Sequence, residues 1–378
     1  MSKKQEKLWA YRLFFPAAAL YAAVAIPLSV IAWGTGKGYP LAYAGFGHGF
    51  ELLFGFSLAV VAGFTLGPTK RNILVALFTL WLCARIAQIL APFSLPSMLI
   101  NLGFGLGLAS QVVPRFFAAK KLRNRMLIPL LLMIALMPGA FLIGHLLHSG
   151  DLLRLILHEA IITLSLLMAF MGGRILAPAI AGEFEQRAME LNARVQPRLE
   201  GTFTVLLFCA IPLFAIADSH VLAGIAISLA GLILLIRMVR WRLWRIASRI
   251  DLIALSVGYG WLALGLIWFG ICTSYNMPII AALHAITVGA IGTLTSGVMI
   301  RTHYLRQHRQ PPPAVLAFLL MIFIALSATL RVVAQFFEFI VRQDLLWFSS
   351  LSWALCFIIL TLSLVLPKAS GDQHPKIK

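Results

Sequence analysis

The chain has 378 residues, of which 61% are hydrophobic and only 12% charged, with a mean hydropathy of +0.92. A soluble globular chain carries about 25% charged residues, so this balance excludes a soluble enzyme and specifies an integral membrane protein. The net charge of +18 would suit a nucleic-acid partner, but the basic residues sit in short loops between apolar runs and build no basic domain; nucleic acid is excluded, and the loops read as topology signals.

Apolar runs of the roughly 17–25 residues needed to cross about 30 Å of hydrocarbon recur along the chain, and alternating ten-residue strand patterns are missing. The predicted fold is therefore all-α: a polytopic transmembrane helical bundle of about twelve spans. The basic start followed by LFFPAAALYAAVAIPLSVIAW resembles a secretory signal, yet the run is too long for a signal core and reaches Trp33 at an interface. It is read as an uncleaved first span at about 13–33. The others follow at about 46–66, 72–91, 95–114, 126–148, 152–172, 201–217, 220–236, 252–272, 278–300, 314–340 and 345–366. All belong to one membrane domain, 1–378, with 173–200 as a cytoplasmic connecting segment.

Odd-to-even connections hold few basic residues, with Lys37, Arg154 and Arg342 near them, while the N-terminus, the even-to-odd loops and the tail hold most of the 31 Lys and Arg. The positive-inside rule then places both termini in the cytoplasm. Within 173–200, GEFEQRAMELNARVQPRLE carries mixed charges spaced for a short surface helix ending before Pro197. RMVRWRLWRIASR (237–249) alternates basic residues with Trp241 and Trp244 and reads as an interfacial segment on anionic lipid. RQPPP (309–313) stops the tenth span's cytoplasmic extension. Cys83, Cys209, Cys272 and Cys356 occur singly in or at the ends of apolar segments and read as small packing residues.

Topology assigns each ionisable residue a depth through the 1.5 Å rise per residue. His48, His145, His148, His158, His220 and His284 all fall in the outer third, with His158 and His284 each roughly 9 Å below the boundary, so these two could meet if their helices are neighbours. His303, His308 and His374 are cytoplasmic and read as solvated surface. Arg85 and Arg331 fall in the outer half, Glu51 lies one turn below His48, and Glu159 follows His158. Burying such groups costs several kcal/mol unless they are paired or face a polar cavity.

Two readings stay open. In the structural one, Arg85 and Arg331 pair with Glu51, Glu159 or Glu338 to pin helices together, and the histidines are interfacial. In the functional one, imidazoles drawn from His48, His284, His158, His145 and His148 converge on a metal or haem, and Glu51 and Glu159 hydrogen-bond the non-ligating nitrogens. Arg85 and Arg331 would then neutralise haem propionates. His48, Glu51 and Gly55 share one helical face, and His145 and His148 are spaced to share a metal. In the tenth span Gly289, Thr293 and Gly297 form a small-residue ridge for tight packing. Walker A, HExxH and GxSxG templates are missing, so no catalytic residue is assigned.

The segment HAITVGAIGTLTSGVMIRT (284–302) is similar to the signature HALTVGAIGTMTLGVMTR of NnrS-family membrane proteins of the bacterial nitric-oxide response. HGFELLFGFSLAVVAGF (48–64), LWLCARIA (80–87) and MGGRILAP (171–178) resemble that family's HAHEMLFGFAAAVIAGF, LWLAGRLA and GGRVIP, and RVVAQF (331–336) fits a weaker pattern. The resemblance implies a twelve-span, haem- and copper-containing protein of the bacterial inner membrane that relieves nitrosative stress, with its metal site toward the periplasm. It supports His48, Glu51, Arg85, Gly172, Gly173, Arg174, His284 and Arg301 as motif positions. One departure is Phe50, which stands where the family has a second imidazole; haem alone, or compensation by His158 or by His145 and His148, is the expectation. The function implied is binding nitric oxide, or protecting haem and iron pools, with membrane lipids and nitric oxide or a related small molecule as partners. An oxidoreductase of the nitric-oxide reductase type and a twelve-span small-molecule transporter are the alternatives.

Overall fold

The computed structural model describes residues 7–35, 46–120 and 122–366. Among them, 12 helices are long and apolar enough to cross a membrane. In chain order they are α1 (Tyr11–Thr35), α2 (Gly47–Thr65), α3 (Arg71–Leu90), α4 (Leu95–Phe117), α5 (Leu127–Leu146), α6 (Gly150–Gln186), α7 (Pro197–Ala215), α8 (His220–Arg240), α9 (Ile250–Ser274), α10 (Ile280–Gln307), α11 (Ala314–Phe336) and α12 (Phe339–Val365). A helix satisfies its own backbone polar groups, which is why apolar runs of this length take that form in hydrocarbon. The expected spans are matched closely except in the middle of the chain. There α6 continues unbroken through Gly172 and Gly173 to Gln186, so the connection expected at 173–200 shrinks to the residues between Gln186 and Pro197, and no separate surface helix forms.

Helix ends follow local chemistry. Ser94 accepts from the Ser97 N–H at 3.4 Å at the start of α4, and Ser149 accepts from the Leu152 N–H at 3.2 Å at the start of α6. RQPPP separates α10 from α11 as expected, because consecutive prolines supply no backbone donors. A two-stranded ribbon pairs β1 (Lys7–Trp9) with β2 (Pro68–Lys70), tying the chain's start to the turn between α2 and α3. Arg115 at the end of α4 donates to Leu66 O and, at 3.2 Å, to Thr69 Oγ1, while Arg306 of α10 lies 4.6 Å over the Trp9 ring.

α2, α6, α9 and α10 are the most enclosed helices; α3, α7 and α11 are among the most exposed. On α1, Leu20, Val24, Leu28 and Ile31 form an outward stripe while Phe14, Phe15, Ala18, Ala19 and Ala22 are buried, the pattern of a helix apolar on both its lipid and its protein faces. Without a hydrophobic force between helices in lipid, close backbone approach supplies the attraction. α8 and α9 cross where a Cβ on Gly224 would run into Gly270 O, and one on Gly270 into Gly224 O. Trp353 of α12 closes the bundle by donating to Ala22 O of α1 at 2.9 Å.

Charged residues pin the end of the bundle opposite His48 and His284. Glu183 of α6 holds Arg187 at 2.8 Å and also pairs with Arg249; Asp251 of α9 holds Arg249 at 3.0 Å and pairs with Arg301 of α10. The stretch 237–249 is two-sided: Arg240, Arg242, Trp244 and Arg245 are exposed, whereas Arg237 and Trp241 turn inward. Arg237 is 2% exposed, bonded to Glu200 (3.3 Å), Tyr259 Oη (3.2 Å) and Ala169 O (3.3 Å), and Trp241 is fully buried against Tyr259. The reason is pairing: once Glu200 neutralises Arg237, the guanidinium and its aromatic neighbours are core. His303 likewise leaves the solvated surface expected of it and is buried edge-on to Tyr11 at 6.3 Å.

Replacing Gly270 by Val is expected to push α8 and α9 apart and cost about 1–3 kcal/mol, read as a lowered melting temperature of the detergent-solubilised protein.

Candidate functional site

α2 and α10 share a deviation from regular helix. Each opens with a short α-helical stretch carrying a histidine, Gly47–Phe50 with His48 and Ile280–His284, then widens into a π-helical segment, Glu51–Ser57 and Ala285–Ile291, before returning to α-helix. Such segments recur at functional sites. In α2 the wider turn is held by Ser57 Oγ donating to Leu52 O at 2.9 Å and by Trp81 Nε1 of α3 donating to Gly55 O at 2.9 Å. In α10 the absent side chain of Gly289 lets the Trp261 ring of α9 lie against the backbone.

Beside the π segment of α2 lies a buried ion pair. Glu51 Oε2 accepts from both Tyr21 Oη of α1 and Arg85 Nη1 of α3, and Arg85 Nη2 donates to Asn101 Oδ1 of α4. Asn101 is anchored in turn by its Nδ2 donating to Ser97 O at 2.9 Å. The side chains of Arg85 and Glu51 are each 3% exposed. Gly55 is glycine for space, since a Cβ there would meet the guanidinium. This is the pairing the structural reading of Arg85 expected, and it commits one Glu51 oxygen to Arg85 and Tyr21. The other, Oε1, is buried with no hydrogen-bond partner among the described residues.

The ring of His48 on α2 and that of His284 on α10 both lie within electrostatic range of the Arg331 charge on α11, and His284 lies within range of His48. The Nδ1 of His284 sits 2.7 Å from Ile280 O. A carbonyl can only accept, so Nδ1 carries the proton and the Nε2 lone pair of the neutral ring is left to bind elsewhere. Arg331 Nη1 is buried with no hydrogen-bond partner among the described residues. A buried guanidinium donor without an acceptor beside two imidazoles is what an anionic, imidazole-binding group would complete.

The other sequence candidates do not join this trio. His158 does not meet His284; it stands edge-on to Phe214 of α7 at 5.7 Å, and Phe214 lies 5.7 Å from His220. Equal depth did not bring them together: the stretch Ile280–His284 packs against α9 and α11. Both Glu159 carboxylate oxygens are buried without a hydrogen-bond partner among the described residues. His145 packs 5.9 Å from the Phe93 ring, and His148, at φ 51°, is exposed in the tight turn before α6. Among the described residues no group of three or more His, Cys, Asp or Glu is placed to hold a metal ion. Phe50 is fully buried among Phe54, Phe93 and Phe141 at ring separations of 5.0–5.4 Å. An apolar nest thus surrounds the position of the departure.

Motif residues farther along are structural in their contacts. Gly172 and Gly173 leave room for Tyr259 and Arg237, Arg174 donates to Asn124 Oδ1 at 2.6 Å and lies 4.4 Å over Phe170, and Arg301 pairs with Asp251. Sequence reasoning missed Tyr21, Asn101 and Trp81, which complete the Glu51–Arg85 pair and its π segment. An isolated amide or phenol inside an apolar run is the signal they leave.

These features define a polytopic α-helical membrane protein with a histidine pair on two π-containing helices and a charged network enclosed beside it. The chain belongs to the NnrS family: the family model described as NnrS protein matches residues 8–366. No curated protein matches it in sequence.

Glu51→Gln removes the counter-charge of Arg85 and is expected to destabilise by about 3–5 kcal/mol. The double replacement Glu51→Leu with Arg85→Met is expected to recover much of that loss. Thermal unfolding of the two purified variants checks both.

Proposed function

We propose that this protein holds a haem between α2 and α10 and acts in the bacterial nitric-oxide response, binding nitric oxide or shielding haem and iron pools from it. What carries the proposal is the convergence of His48, His284 and Arg331, with the His284 tautomer set by Ile280 O and an Arg331 N–H left without an acceptor. Two imidazoles suit haem iron, which takes its remaining ligands from the porphyrin, and a guanidinium suits a propionate. Membership of the NnrS family supports the same assignment.

His284 offers Nε2 and His48 the second imidazole, while Arg331 donates to a carboxylate. Glu51 and Arg85 neutralise one another one turn away, so the enclosed site carries no net charge from that pair. Their pairing keeps the guanidinium of Arg85 from competing with Arg331 for an anionic group. Haem, when bound, supplies an iron that takes up nitric oxide. Copper is less well served, since a copper site built by the protein needs about three side-chain ligands and no such group occurs among the described residues. A nitric-oxide reductase would need a second metal beside the first and meets the same shortage. The setting that the loop charges and family support is the bacterial inner membrane, with this site toward the periplasm.

Full-length protein purified in detergent is expected to show a Soret band. His48→Ala and His284→Ala should each strip or reshape it, and Arg331→Gln should weaken haem retention about tenfold or more, the worth of a charge-assisted hydrogen bond. A full and unchanged haem complement in both histidine variants overturns the ligand assignment.

A further inference from the structure

The outward face of α8 is a stripe of Leu222, Ile225, Leu229, Leu232, Ile236 and Val239, spaced three and four residues apart and all exposed. At 1.5 Å per residue it runs about 26 Å, close to the roughly 30 Å of a bilayer's hydrocarbon. Arg240 follows at once. The turn into α9 then presents Arg242, Trp244 and Arg245, while Trp241, Leu243 and Ile246 point inward and anchor it. Lipid tails lying along the stripe therefore reach their headgroups at these arginines.

The turn is held from inside. Arg242 takes a left-handed φ of 50°, and Arg187 at the end of α6 donates to Arg245 O at 3.3 Å and to Ser248 Oγ at 2.6 Å. The connection between α6 and α7 closes on the same end of α8, since Gln196 donates to Arg237 O at 3.5 Å and Glu200 pairs with Arg237. Arg194 and Arg198, two residues either side of Gln196, are exposed there. None of the five exposed arginines has an ion pair among the described residues. Nearby acids are committed elsewhere: Glu183 and Asp251 hold Arg187, Arg249 and Arg301, and Glu200 holds Arg237. Glu185 and Glu190 are exposed and pair with none of the five among the described residues.

We propose that this end of α8 binds an anionic phospholipid, with an acyl chain on the stripe and the phosphodiester among Arg240, Arg242 and Arg245. Guanidinium forks suit phosphate oxygens, and each basic group near a charged leaflet adds to the attraction. A lipid fits better than a soluble polyanion because the exposed apolar side chains of Trp244 and Val195 stand among the arginines; an amphipathic ring such as Trp lies at headgroup level. The site is separate from the imidazole pair and does not depend on haem.

Native mass spectrometry of the full-length protein in detergent, titrated with phosphatidylglycerol or with phosphatidylcholine of the same chains, reads the binding. Wild type is expected to hold phosphatidylglycerol about tenfold more tightly. The triple replacement of Arg240→Gln, Arg242→Gln and Arg245→Gln should abolish that preference. A control triple, Lys120→Gln with Arg125→Gln and Arg309→Gln, removes the same charge from other connections at that end of the bundle and should keep it. Equal retention of the two lipids by wild type overturns the proposal. So does a preference that survives the first triple unchanged, or one that falls as far in the control. Should the first triple not fold, Arg194→Gln with Arg198→Gln takes its place with the same outcomes.

Discussion

A charge inside hydrocarbon must find its partner within the same bundle, because the solvent offers none. That constraint arranges most of this structure. Arg85 of α3 reaches Glu51 of α2, Arg237 reaches Glu200, and Arg301 reaches Asp251. Each pair names which helices must be neighbours and at what level, a specification that apolar packing between interchangeable Leu and Ala surfaces does not make. Replacing such a pair by apolar residues is often tolerated while removing one member is not, so what the pairs contribute here is placement. Against that rule the exceptions become informative. Arg331 Nη1 and both oxygens of Glu159 are buried without hydrogen-bond partners among the described residues, and only Arg331 stands beside two imidazoles.

The imidazole site and the network around Glu51 meet on α2. One face of its π segment is braced by Trp81 and by the guanidinium that occupies the space left by Gly55. His48 sits just before that braced stretch, and His284 sits just before the matching stretch of α10, itself seated on Trp261. A histidine supported in this way keeps its position when a ligand binds or leaves, which is the support a binding constellation needs.

The number and order of spans were legible because twenty-residue apolar runs admit one structure in lipid. The extent of α6 was not. Mixed charges in GEFEQR fit a separate surface helix as well as a continuation, and only the pairing of Glu183 with Arg249 and Arg187 shows that the helix runs on. Depth could be counted along each span, but azimuth could not. His158 and His284 were counted to matching depths, yet His158 packs on Phe214 whereas His284 lies within electrostatic range of His48. For the same reason Trp241 and His303 looked like surface residues: a basic neighbourhood in sequence says nothing about whether a partner waits in space.

A π-helical turn holds one residue more than the α-helical turn it replaces. Deleting a single residue between His48 and Leu58 would let α2 wind as a plain α-helix, and His48 would keep nearly its bearing relative to Thr65, because the seven residues Glu51–Ser57 turn through about the same angle as six α-helical ones. What would be lost is the widened turn itself, in which Gly55 O accepts from Trp81 and Leu52 O from Ser57. The surplus residue thus shapes the wall of the site while the helix on either side stays in phase, and a variant of this protein can keep every buried charge paired and still lose that wall.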